Sequence, residues 1–510
     1  MAGPACHGWD DRRIVLERIT RVVDTRHTVA VAAVVTLLLR VPGMTRPIRP
    51  DEAGFLLVAR SWDPTPDSLY GRYFVDRPPL LIAFFRLGDA LGGITAIRIL
   101  GALACVVTVV LAAEVGRYLA GPGVGRWVAI VTAALTTNPL IDPVAVKGEI
   151  LALPWLVLGI VGALRALERD SWRWAVLAGL ASATATGFKQ NLTGGLVFGG
   201  VLLLAAWATH QLHRWDVARL GAAALAGAAV PVVATLAWAR LEGVRLSTLS
   251  YAVLGFRTDA TEALSRGDAT APLQRAVLLA GVAVGAGLLL IVIGFLVHIR
   301  GEWRDQPAVT MATAALLLVD VAFLLASGSF WTDYLFALVP FCALAVALLS
   351  RRTTRRGTRM RLVVVLSAVS ALVSLVVWIG LEKTDVITYP AAADGAAIGA
   401  AARPGDTLTV FGGRADLQFT SGLASPYSQL WSLPMRTLDP DYAQLRALLA
   451  GSRAPTWFVP WVSWGAWGNP AGRALETTVD LRYVRHGTGC EGRPIYLLRD
   501  VTRPPLRPRC

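Results

Sequence analysis

Charge is scarce in this chain. Only 16% of its 510 residues are Asp, Glu, Lys or Arg, while 55% are hydrophobic and the mean hydropathy is +0.53. A soluble globular domain carries about 25% charged residues, so an ordinary water-facing surface is excluded. Lysine is scarcer still: of 49 basic residues only Lys147, Lys189 and Lys383 are lysine. The six histidines (His7, His27, His210, His213, His298 and His486) show no metal-ligand spacing. There is no P-loop, no nucleotide-binding glycine fingerprint and no G-x-S-x-G elbow, so nothing supports a nucleotide-driven mechanism. Internal repeats and low-complexity linkers are absent as well.

What is present is a series of long apolar runs between about residues 28 and 381, many long enough to cross a bilayer. They are unbroken Ala/Leu/Val runs, not the short alternating segments of a β-barrel. The expected class is an α-helical polytopic membrane protein with about eleven transmembrane helices. The predicted spans are roughly 28–44, 95–116, 127–141, 149–166, 174–189, 192–208, 217–240, 274–298, 308–328, 333–350 and 361–381. The formal charge of +14 does not point to nucleic acid, because the arginines sit in short loops between apolar runs. Clusters such as Arg117 with Arg126, Arg214 with Arg219, and 351–361 then all fall on one side, which the positive-inside rule makes the cytoplasm. Residues 1–27 read as a cytoplasmic segment without a signal-peptide cleavage site, and 28–381 as the transmembrane domain with an external loop at 45–94. The site of action is expected at the plasma (inner) membrane.

Beyond about residue 385 the composition changes. "DTLTVFGG", "PTWFVPW" and "RPIYLLRD" read as short strands and "YAQLRALLAG" as a helix ending at Gly451. Residues 385–510 are therefore expected to form a small extracytoplasmic α/β domain. Cys490 and Cys510 both lie in it, as a disulfide or as two thiols. Loop 241–273 reads as a polar, mobile external segment.

The acidic and basic residues that interrupt the apolar pattern converge on the outer face. Asp51 and Glu52 follow the first span; a carboxylate there can be a general base, a metal ligand or simply solvated. Asp76 and Arg77 precede two prolines that stop a helix from running back through Arg77. An arginine at headgroup depth suits a lipid phosphate, and equally an interface anchor. "LLIAFFRLGDALGG" reads as an interfacial amphipathic helix with Arg86 and Asp89 as its polar points. Asp142, Lys147 and Glu149 fall in the second external turn, Lys189 and Gln190 in the third, and Asp333 and Tyr334 in the fifth. Asp320 is the one deep acid of the later half. Such an outer site suits a negatively charged, membrane-bound substrate.

The ordered set of motifs resembles the GT-C superfamily of polyprenyl-phosphate-sugar-dependent glycosyltransferases. The nearest type is the bacterial glycosyltransferase 39 group, with protein O-mannosyltransferases and aminoarabinose transferases. Four stretches carry the resemblance: Asp51-Glu52, "FVDRPPLLIAFFRLGDALGG…AIRILGAL", "GEILALPWLVLGI" and "DYLFALVPFCALAVA". It implies transfer, with inversion, of a sugar from a polyprenyl-phosphate donor to a glycan, lipid or protein acceptor outside the cytoplasm. It also implies that Asp51, with Glu52 beside it, is the catalytic or metal-associated acid, that Asp76 and Arg77 face the donor phosphate, and that Lys147 and Glu149 lie near the donor. Lys189 and Tyr334 complete the expected substrate-binding set. The resemblance fixes no cofactor, and a divalent metal is left open. The chain departs from the family pattern in having Asp333 where histidine is common and Arg77 where lysine is commoner. A polymer ligase acting on a lipid phosphate, or a transporter, are the rival readings; the latter expects midplane charges and repeated halves.

Overall fold

A computed structural model describes residues 27–142, 144–265, 270–351 and 355–510. All but the last residue of the expected cytoplasmic segment lies outside this range. The described chain is mostly helical: α1 Thr28–Arg40, α2 Pro50–Arg60, α3 Pro79–Gly92, α4 Ile94–Ala120, α5 Pro122–Thr137, α6 Gly148–Arg169, α7 Trp172–Phe188, α8 Gly194–Ala208 and α9 Arg214–Leu241. There follow α10 Leu246–Ser250, α11 Phe256–Ser265, α12 Thr270–Gly285, α13 Leu288–Asp305, α14 Pro307–Ala326, α15 Val339–Ser350 and α16 Arg355–Lys383.

Every one of the eleven expected spans is helical, but the helices do not all have spanning length. Six are long and apolar enough to cross a membrane: α4, α6, α9, α14, α16, and the stretch Thr332–Ser350 that includes α15. The pair α12 and α13, bent by 75°, makes a seventh when counted as one span. Helices of this composition suit lipid because they satisfy their own backbone hydrogen bonds. Where they pack closest, the contact is glycine. A Cβ at Gly179 of α7 would lie 1.8 Å from the Ala224 carbonyl oxygen of α9, and one at Gly227 of α9 would lie 2.0 Å from that of Val176. Small residues let helix backbones approach where no hydrophobic drive operates between them.

The segment between α1 and α4 holds α2, an irregular stretch, and α3. α3 buries Leu81, Ile82 and Phe85 and leaves Leu87 and Leu91 exposed, as expected of an interfacial helix. Its polar points have protein partners. Asp89 receives both ends of the Arg60 guanidinium at 2.8–3.2 Å, and Arg86 lies 5.8 Å over the Trp62 ring. The expected polar loop 241–273 is instead helical through α10, a π-turn at Tyr251–Gly255, and α11. Leu249, Ala252, Phe256 and Ala260 recur every three or four residues and are buried; this apolar stripe was masked by the charged residues between. Phe256 packs on Phe74 with ring centroids 5.0 Å apart.

The C-terminal part begins with α17 Pro390–Ala401 and contains a four-stranded sheet in the order β1 Leu408–Phe411, β2 Trp457–Pro460, β4 Pro494–Leu498, β3 Tyr483–Thr488. β1 and β2 are parallel and the other pairs antiparallel. Helices α18 Ala415–Thr420, α19 Ser432–Leu438, α20 Ala443–Ala450 and α21 Gly472–Arg482 complete it. Three strands and α20, which stops at Gly451, lie where the sequence places them. β3 carries Arg485 and His486 and is half exposed, so it lacks the apolar signal of the others. Cys490 and Cys510 are joined in a disulfide. The connection between α18 and α19 meets the stretch between α2 and α3 directly: Phe74 N–H donates to the Ser428 carbonyl (3.1 Å), and Ser425 N–H to the Tyr73 hydroxyl (3.0 Å).

One buried ion pair fixes the segment between α1 and α4 to the helices. Glu52, fully buried, takes Arg98 of α4 at 2.7 and 3.2 Å, together with the backbone N–H groups of Val146 and Arg49. Arg98 uses its remaining protons on the carbonyls of Gly43, Met44, Arg46 and Pro47. Both ions are thereby satisfied, and removing one strands the other without water. Arg98→Ala is expected to cost about 3–5 kcal/mol of stability, read as a lowered midpoint in thermal unfolding of the detergent-solubilised protein. An unchanged midpoint would show the pair to be incidental.

Candidate active site

The site is assembled from five segments that meet in space. Asp51 sits in the first turn of α2, started by Pro50 at the first helical position. Asp76 and Arg77 end the irregular stretch before α3. Asp142 and Lys147 lie between α5 and α6, and Glu149 in the first turn of α6. Lys189 follows the last residue of α7, and Asp333 and Tyr334 belong to a 3-10 turn, Thr332–Leu338, leading into α15. The break between α5 and α6 follows from Asn138-Pro139 and Asp142-Pro143, since a residue before proline is driven from the helical region.

Asp51 and Glu52 diverge. Neighbours on a helix point about 100° apart, and Glu52 is consumed by Arg98, away from the open face. Asp51 Oδ1 accepts the Trp431 indole N–H at 3.0 Å, and Oδ2 lies 3.1 Å from Lys147 Nζ. Burial pushes the Asp51 carboxyl up, but the Lys147 ammonium, then Arg77, and the two hydrogen bonds hold it below its ordinary value. Lys147 Nζ also lies 3.2 Å from Asp333 Oδ1 and 3.9 Å from Asp142 Oδ2. Burial opposes its charge, yet Asp333, Asp51, Asp142 and Glu149 raise its pKa well above the usual lysine value.

A second group lies beside this one. Asp76 Oδ1 is 2.8 Å from Arg77 Nη1, and Oδ2 is 2.6 Å from Nη2 of Arg257 on α11. The Arg77 carbonyl accepts the Tyr70 hydroxyl at 2.5 Å, and the Asp76 carbonyl accepts the Gln190 amide at 3.0 Å. Burial lowers the Arg77 pKa, but Asp76, Tyr334, Glu149 and Asp51 together raise it above the ordinary value. Glu149 pairs with Lys189, whose Nζ stands 4.1 Å from the Tyr334 ring centroid. Burial and then Arg77 depress the Lys189 pKa against the pull of Glu149.

The structure thus gathers Asp51, Asp76, Arg77, Lys147, Glu149, Lys189 and Tyr334, and sends Glu52 elsewhere. It adds Asp142 and Asp333 as partners of Lys147. Two contributors were missed by the sequence reading. Arg257 was hidden in the segment taken for a loop, and Trp431 lies 380 residues from the acid it holds; no local pattern announces either.

No protein-family model and no curated protein sequence matches the chain. Solved structures do. ArnT from Cupriavidus metallidurans, crystallised bound to undecaprenyl phosphate, superposes with a TM-score of 0.61 at 16% identity, covering 92% of this chain and 97% of ArnT. Its apo form gives 0.63 at 15% identity over 92% and 96%. The chain has the GT-C fold. The Archaeoglobus fulgidus oligosaccharyltransferase, in complex with Zn and sulfate, matches with a TM-score of 0.54 at 11% identity, over 92% of this chain and 73% of that one. The resemblance read from the sequence therefore holds for the architecture.

The zinc in that last structure raises the question of a metal here. Among the described residues no group of three or more His, Cys, Asp or Glu side chains is arranged to hold one. Asp51, Asp142 and Asp333 converge on an ammonium group instead, so the residues present do not fit a divalent ion.

The Trp431 contact requires a bare backbone beneath it. A Cβ on Gly54 would lie 2.1 Å from the indole ring. Gly54→Val is expected to push Trp431 off Asp51 and loosen the C-terminal part, with membrane insertion intact. Limited proteolysis in the connection 384–389 should then accelerate; an unaltered cleavage rate would show that Trp431 is not needed for docking.

Proposed function

We propose that this chain is an integral membrane glycosyltransferase that moves a sugar from a polyprenyl-phosphate donor to a cell-envelope acceptor outside the cytoplasm, inverting the anomeric centre. The observation that carries the reading is Asp51, a carboxylate kept ionised by Lys147 and Trp431, beside a group of cations at the ends of the apolar helices. The binding of undecaprenyl phosphate by ArnT supports a lipid of that class as donor.

The chemistry balances within the site. The acceptor hydroxyl donates its hydrogen to Asp51 and its oxygen forms the new bond to the anomeric carbon. The bond from that carbon to the phosphate oxygen breaks, and the phosphate leaves with the electron pair. Arg77 and Arg257 flank one carboxylate and are spaced to take phosphate oxygens in its place; Lys189 adds a third cation. Phosphate is already a good leaving group, so no nucleotide is consumed.

The transmembrane domain is taken as 28–381 with eleven crossings, an N-terminus in the cytoplasm, and 385–510 outside. Placing both the C-terminal part and Asp51 on one side fits their contact through Trp431. Reporter fusions after residues 120 and 390 should give cytoplasmic and exterior signals respectively; matching signals would mean one crossing fewer or more.

Asp51→Asn should lower transfer about a hundredfold or more, the usual range for a general base, measured with a defined polyprenyl-phosphate sugar and an acceptor extract. Because its neighbours hold Asp51 charged, the acid limb of the wild-type pH profile should fall below the ordinary aspartate value of 3.8. Arg77→Ala should weaken donor use about 10- to 100-fold, the worth of a charged hydrogen bond, and Arg77→Lys should restore part of it. Normal turnover in Asp51→Asn would remove the assignment.

A further inference from the structure

Among 46 arginines this chain places one of its three lysines where three carboxylates meet. Asp51 comes from the first turn of α2, Asp142 from the α5–α6 connection, and Asp333 from the 3-10 turn before α15. Their oxygens stand 3.1, 3.9 and 3.2 Å from a single Nζ. In two of the acids the other oxygen is already occupied. Asp51 Oδ1 is held by Trp431, and Asp142 Oδ1 accepts the N–H groups of Val144 and Ala145 at 3.0 Å each. An ammonium has three protons on one compact centre and suits three separate acceptors, whereas guanidinium is a planar fork matched to the two oxygens of one acid.

We propose that the Lys147 ammonium is a tethered counter-ion, standing where a divalent cation would otherwise bridge Asp51, Asp142 and Asp333, so that transfer by this chain proceeds without a metal and Lys147 is the positioning residue of Asp51. This rests on the reading of the site as a glycosyltransferase centre. The tether is rigid. Lys147 immediately precedes α6, and Gly148 lies so close to the end of α7 that a Cβ there would fall 2.6 Å from the Phe188 carbonyl oxygen. The ammonium side chain is 19% exposed, and those of Asp333 and Asp142 are 8% and 12% exposed. A metal ion draws oxygen ligands to about 2.0–2.6 Å, which these acids can reach only if the ammonium between them is gone. A second positive centre in the same space would also meet strong repulsion from the first. The arginines of the site pair with Asp76, and Lys147 is the cation that stands within 4 Å of all three acids.

The test uses purified full-length protein in detergent and Mn²⁺ as probe, followed by electron paramagnetic resonance and by thermal unfolding. Wild type is expected to hold no stoichiometric Mn²⁺, and a chelator should leave its transfer rate unchanged. Lys147→Ser should bind one Mn²⁺ per chain. Its unfolding midpoint should rise on adding Mn²⁺ while that of wild type does not. Its transfer rate should drop about a hundredfold without metal, an effect of general-base size, and recover in part with Mn²⁺. Adding Asp333→Asn to Lys147→Ser should abolish the binding and place it at these acids. Lys147→Arg keeps the charge and should stay folded, metal-free and partly active. Stoichiometric Mn²⁺ in wild type, loss of transfer on chelation, or a folded Lys147→Ser that ignores Mn²⁺ would overturn the proposal. The binding and unfolding measurements need no substrate. If they come out as expected but no sugar is transferred, the counter-ion stands and the glycosyltransferase reading falls.

Discussion

The Glu52–Arg98 pair is the constraint on which the site end of the molecule depends. A carboxylate and a guanidinium without contact to water must satisfy every lone pair and proton inside the protein. Here they do so by gathering four carbonyls of the turn after α1, two backbone N–H groups and the start of α4. Val146 is one of those N–H donors, and Lys147 follows it. The same pair therefore sets where α2 begins and where the ammonium beside Asp51 stands. Asp51 is left free to face the site because its neighbour is wholly occupied.

Charge balance shapes what the site can accept. Five carboxylates (Asp51, Asp76, Asp142, Glu149 and Asp333) face four cations (Arg77, Lys147, Lys189 and Arg257). An anionic ligand adds to the excess unless it displaces a carboxylate from its partners. Asp76, bridging two arginines, is the member whose displacement frees the most positive charge at once. Lys189, held below its usual pKa, answers to Glu149 and to Arg77 in opposite senses. Ligand entry and rearrangement of ion pairs are thus one event in this geometry.

The architecture is shared with proteins of very low identity, and the site is where this chain differs from a bare scaffold. A GT-C fold supplies apolar helices and outer loops; it does not supply the residues at their ends. In this chain those ends meet a C-terminal part whose Trp431, just before α19, touches the candidate base, made possible by Gly54. The distant tail is thereby part of the site, though its strands carry no candidate catalytic residue.

The sequence determined the helical class, the eleven apolar segments, the placement of Asp51, Arg77, Lys147 and Lys189 on one face, and three of the four strands. Those features are encoded locally, in apolar run length, in prolines, and in the rarity of charge against a greasy background. The tertiary structure decided what local pattern cannot carry: that Glu52 is a fold anchor, that the segment at 246–265 is helical and delivers Arg257, and that β3 forms an exposed edge. It also decided that Trp431 reaches Asp51 across 380 positions and that three acids share one ammonium. Burial and pairing depend on what lies opposite in space, and a buried carboxylate with three partners reads in the sequence like one with none.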